Sequence, residues 1–107
     1  MPMRPMVFVI DTHGIKSAIA DGIRKLGVPV RTETEFPKLG SGAVLPSVVV
    51  VVGGQEFHAE VGKVIERRLG DKCEYAVEYA GEYDVKTTVD AVRRHVGLVD
   101  GEIWAPL

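Results

Sequence analysis

Two short segments hold most of the residues that could do chemistry. The first is Asp11-Thr12-His13-Gly14 and the second is Gly53-Gly54-Gln55-Glu56-Phe57-His58. Asp11, His13, Glu56 and His58 are carboxylate and imidazole donors, the ligand types that suit zinc or manganese, and a bound divalent metal turns a coordinated water into a nucleophile at neutral pH. The glycines point to a different chemistry. Gly14, Gly53 and Gly54 let a ligand approach the backbone closely, and the first amides of a helix bind anions. The candidate ligand-binding residues are therefore Asp11, Thr12, His13, Gly14, Gly53, Gly54, Gln55 and Glu56. Asp11, His13 and His58 are the candidate metal ligands.

Both segments follow an apolar run, and those runs must position them. Met6 to Ile10 precedes Asp11, and five consecutive valines, Val48 to Val52, precede Gly53. A β-branched run without a polar residue on either face reads as a central strand buried on both sides. After the first loop, Ile15, Ile19, Ile23 and Leu26 recur at helical spacing, and Gly27 supplies the stop, so a helix is expected from Ile15 to Leu26. Val30 to Phe36 alternates, with Val30, Thr32, Thr34 and Phe36 on one face, which predicts an edge strand opened by Pro29. Pro37 to Ser47 has no period and reads as a loop, with Leu39, Val44 and Leu45 turned toward the protein. Phe57, Val61, Ile65 and Leu69 mark a second helix closed by Gly70. Cys73 to Tyr79 alternates again as a second edge strand, with Tyr75, Val77 and Tyr79 facing inward and Glu74 and Glu78 discouraging pairing with another chain. Asp84 is placed to cap a third helix carrying Val85, Val89, Val92 and Val96, with Gly97 as its end.

Residues 1–107 thus read as one α/β domain of four strands and three helices. If the 37–47 segment crosses the sheet, right-handed connections give a mostly parallel sheet of order 2-1-3-4 with helices on both faces. That arrangement resembles flavodoxin-like domains and the IIB components of sugar phosphotransferase systems. If the segment is instead a hairpin, the same elements give the antiparallel 4-1-3-2 sheet of the ferredoxin-like fold with an extra helix. The valine run favours the first, because a strand apolar on both faces needs cover on both. In that arrangement the two chemical segments share one crevice at the carboxyl ends of the central strands.

Val9-Ile10-Asp11-Thr12-His13-Gly14 also resembles the first motif of calcineurin-like metallophosphoesterases, a strand followed by Asp-x-His with glycine close behind. The resemblance implies that Asp11 and His13 are metal ligands in a phosphoester hydrolase. It covers about the first quarter of the chain, and glutamine, Gln55, stands where that family places its bridging aspartate. The phosphotransferase resemblance implies a phosphoryl acceptor in the loop after the first strand, where this chain offers His13, with Gly14 and the following helix amides for the phosphate oxygens. Each residue also has a plainer reading. Asp11 suits an Asx-turn, His13 a solvated loop, His58 a helix start, and His95 the cation-favouring last turn of the third helix.

Composition narrows the function classes. The net charge is −2 with scattered basic residues, and the only clustered basic pairs, Arg67-Arg68 and Arg93-Arg94, fall late in predicted helices. This argues against nucleic acid and anionic membranes as partners. No apolar stretch approaches the length of a membrane span, and Met1-Pro2-Met3-Arg4-Pro5 lacks the apolar core of a signal peptide, so a cytoplasmic protein is expected. The single cysteine, Cys73, excludes an internal disulfide and reads as a small buried hydrophobe. No dinucleotide or P-loop motif occurs, and no cofactor is evident beyond the divalent metal. Ile103, Trp104 and Leu107 make the 98–107 segment too apolar for a free tail, so it is expected to dock on its own sheet or join a homodimer. These readings favour a non-enzymatic module that binds a small anionic ligand or a protein partner at the crevice. The alternative is a metal-dependent phosphoester hydrolase or phosphotransfer protein using Asp11 and His13.

Overall fold

The computed structural model describes residues 5–40 and 42–97. The elements run β1 (Val7–Asp11), a 3-10 turn (Gly14–Lys16), α1 (Ala18–Arg24), β2 (Val30–Glu33), β3 (Val48–Val52), α2 (Gln55–Arg68), β4 (Ala76–Ala80) and α3 (Val85–His95). All strand pairs are parallel and the sheet order is β2-β1-β3-β4. The segment between β2 and β3 therefore crosses the sheet, and the antiparallel ferredoxin-like alternative does not apply. Every residue of β1 and of β3 is buried, as a double-sided cover requires. The 98–107 tail expected to dock, with Trp104, lies outside the described residues, as does the Met1–Arg4 stretch.

The valine run divides its side chains between two cores. Val48, Val50 and Val52 join Val7 and Val9 beneath α1 and α3, where Ile19, Ile23 and Val92 meet them. Val49 and Val51 join Phe8 and Ile10 beneath α2, against Val61, Ile65 and Leu69. Removing a valine or isoleucine side chain of this kind from water is worth about 1.5–3 kcal/mol, so the sheet gains from both faces of its two central strands. Phe36, Leu39 and Leu45 complete the α2 core. The β2–β3 connection thus supplies apolar cover where a helix would otherwise be needed, and that is why a short irregular crossover suffices.

Several local expectations are corrected. The first helix does not begin at Ile15. Ser17 adopts an extended conformation and its hydroxyl accepts the Ala20 N–H, so α1 starts three residues later and Ile15 is left 71% exposed. The N-cap interrupts what the apolar spacing presented as one continuous stripe. The second strand ends at Glu33 rather than Phe36. Beyond it the chain bends, so Phe36 packs near Phe8 in the α2 core, at 6.2 Å between ring centroids, while Val30 packs with the opposite core. Val44 is exposed rather than turned inward. Cys73 lies ahead of β4 and is half-buried, with its Sγ 3.8 Å from the Pro46 carbonyl, and burial pushes its thiol pKa up. Asp84 occupies the N-cap position of α3, but its carboxylate accepts the Gly81 N–H instead of a helix amide.

Candidate functional site

Asp11 and Val52 are register partners at the ends of β1 and β3, so the two loops leave the same edge side by side. The crossovers then diverge: α1 covers one face on its way to β2, and α2 covers the other on its way to β4. This is the switch point of a parallel sheet, where a crevice opens between loops that turn away from each other. Asp11 is 1% exposed, and its Oδ1 accepts the His13 N–H at 2.7 Å. The plainer reading of Asp11 as a turn aspartate describes this bond. The chain then turns through Gly14 at φ +66°, where a β-carbon would also lie 3.3 Å from the Thr34 methyl. Both constraints call for glycine there.

His13 stands between two carboxylates. Its Nδ1 is 3.4 Å from Asp11 Oδ1 and its Nε2 is 4.0 Å from Glu82 Oε1, with the His13 side chain 58% exposed. Glu82 belongs to the 81–84 loop after β4, which the sequence reading left out of the site. The signal was available, since a fourth strand parallel to the others must end at this same edge. Of the amides that follow His13, two are already engaged: Ser17 N–H bonds the Gly14 carbonyl and Ala20 N–H bonds Ser17 Oγ.

The second loop has a different character. Gly54 is the N-cap of α2 in an extended conformation, with no side-chain hydrogen bond to the helix. A β-carbon at Gly54 would meet nothing within 4 Å, whereas one at Gly53 would fall 2.9 Å from the Phe57 ring. Gly53 is thus required for packing, and Gly54 leaves open space above the first amides of a long helix. Gln55 and Glu56 are exposed beside that space.

His58 does not join Asp11 and His13. Its Nε2 donates to the Ala80 carbonyl at 3.0 Å, the same carbonyl that accepts the Gly53 N–H at 3.0 Å, and its ring lies 5.3 Å from that of Tyr79. The ring ties the first turn of α2 to the end of β4 through its Nε2. Among the described residues no group of three or more His, Cys, Asp or Glu side chains is arranged to hold a metal ion. Asp11 and His13 lie together, and the His58 Nε2 is engaged at the end of β4 instead.

No family model, no curated protein and no solved structure matches this chain.

A second concavity lies on the α2 face. An open groove of about 550 Å³ runs between α2 and β4, bordered by His58, Gly62 and Lys63 on the helix and by Tyr75, Val77 and Tyr79 on the strand. Tyr79, expected to face inward, is 50% exposed. The helix sits over the central strands and leaves the edge strand uncovered. The Tyr79 hydroxyl reaches toward Gly62, where a β-carbon would lie 2.8 Å from it.

Proposed function

We propose that this protein is a non-enzymatic binding module that takes a small carboxylate-bearing or similarly compact anion at the crevice between β1 and β3. The observation that carries the reading is the uncapped N-terminus of α2. Its first amides have no side-chain cap, the preceding residue is Gly54, and the space above Gly54 is open. Orphan amides at a helix N-terminus, aided by the helix dipole, favour a negative group. His13 adds a donor across the crevice. Glu56, Glu82 and Asp11 limit the charge that the site tolerates, so a monovalent anion or the carboxylate of a zwitterion suits it better than a polyphosphate. A second copy of the charge would meet those carboxylates at close range.

The test is calorimetric titration of the protein with acetate, and separately with inorganic phosphate, against Gly54→Asp. Gly54 has φ −81°, so aspartate fits the backbone, and its carboxylate supplies the missing cap. The substitution should leave the melting temperature equal or slightly higher, because aspartate exceeds glycine as an N-cap by only a few tenths of a kcal/mol. Weak acetate binding should vanish with it. Binding that survives the substitution, or no binding by wild type, overturns the reading. Manganese and zinc titrations of wild type, Asp11→Ala and His13→Ala address the alternative. Near-stoichiometric metal lost in both variants would put the hydrolase reading first.

A further inference from the structure

We propose that two copies of this chain pair through the open edge of β4, joining their sheets across a two-fold axis at Val77. The outward side of β4 has no strand beside it among the described residues. Its backbone polarity follows from the inner side. Ala76 N–H bonds the Ser47 carbonyl and the Ala80 carbonyl accepts Gly53 N–H, so the even-numbered residues spend their backbone groups on β3. Val77 and Tyr79 therefore direct their N–H and C=O groups to the open edge, and the Tyr75 carbonyl, opposite the Ala76 N–H in its peptide, does the same.

Charge narrows the register. In an antiparallel pairing centred on Val77, Val77 opposes Val77 of the second copy, and Tyr75 opposes its Tyr79. The Val77 pair lies where its outward groups can exchange both bonds. On the other face, Glu78 opposes Ala76 and Glu74 opposes Ala80, so no acid faces an acid. Centring on Ala76 would instead set Glu74 against Glu78, and centring on Glu78 would set that residue against itself. Like charges directly opposite are destabilising. The Glu78 carboxylate is moreover held by His95, at 2.7 Å from its Nε2, so it is drawn toward α3 rather than standing guard at the edge. The expectation that Glu74 and Glu78 block pairing holds for those two registers and not for the one centred on Val77.

The remaining features agree. The half-exposed Tyr79 and its neighbours Tyr75 and Val77 form the floor of the groove beside α2, and cross-strand aromatic pairing would cover them. The opposite edge is guarded as monomeric edges are, with Pro29 ahead of β2 and an Arg31–Glu33 ion pair along it. Two β4 edges paired in this way make an isologous dimer with one continuous sheet.

The experiment is light scattering and sedimentation of the full chain at micromolar concentration, with circular dichroism as a folding check. Val77→Pro removes an N–H that serves only the open edge, a position where an edge strand tolerates proline. It should give a folded monomer. Ala76→Glu and Ala76→Lys change the residue opposite Glu78. The first should weaken the dimer about ten-fold and the second should strengthen it, because each charge contact occurs twice across the two-fold axis. A monomeric wild type overturns the proposal, as does a dimer whose affinity ignores the sign of the charge at 76. A wild-type monomer that dimerises only after truncation behind Gly97 also overturns it, by making the chain's own tail the occupant of the edge.

Discussion

At the scale of single residues, the carboxyl edge is held by hydrogen bonds within and between its loops. Asp11 is buried and spends an oxygen on the turn that presents His13. His58 was grouped with them because imidazoles after two strands of a parallel sheet share an edge, yet its Nε2 binds the Ala80 carbonyl. Its role is to fasten α2 to β4. Replacing His58 with leucine should cost about 1 kcal/mol in urea unfolding, the usual net value of a hydrogen bond. The cost stays near that value because the Ala80 carbonyl keeps the Gly53 N–H and is not orphaned. A loss well above 2 kcal/mol would mean that the ring carries packing as well as the bond. The sequence identified His58 as a donor but could not say to what, since its partner lies 22 residues away.

At the scale of elements, α1 and α3 approach closely because Gly22 lacks a side chain. A β-carbon at Gly22 would lie 2.8 Å from the Val89 Cγ2 methyl. Alanine at 22 favours the helix by roughly 0.5–1 kcal/mol over glycine, whereas overpacking at such a contact costs about 1–3 kcal/mol. Gly22→Ala should therefore destabilise the wild type and stabilise a Val89→Ala background, and the double-mutant cycle read by denaturant midpoints checks the change of sign. Equal effects in both backgrounds would show that the helices slide apart at no cost. The apolar spacing of α3 was legible as Val85, Val89, Val92 and Val96, and all four pack in the α1-side core. The start of α1 was not, because the cap at Ser17 competes with Ile15 for where the helix begins. Sequence spacing records both signals without ranking them.

At the scale of the whole molecule, the sheet separates two apolar cores that share only its backbone. Ile23 belongs to the α1 and α3 side and Ile65 to the α2 side, each at 1% exposure or less. Truncating either to alanine should cost about 2–5 kcal/mol. Because their side chains share no contact partner in either cluster, the double variant should equal the sum within about 0.5 kcal/mol, in a single cooperative transition. Two separate transitions, or strong coupling, would show that the layers fold as distinct units. The sequence by itself determined that β1 and β3 are central, that two loops meet at one edge, and where the glycines end the helices. Those features are written in local periodicity, in β-branching and in backbone freedom. Only the tertiary structure decided that the 34–47 segment crosses over, that Phe36 turns to the α2 side, that Glu82 reaches His13, and that Tyr79 stays half exposed. Each depends on which surface another part of the chain leaves uncovered. A residue's neighbours in sequence do not carry that information.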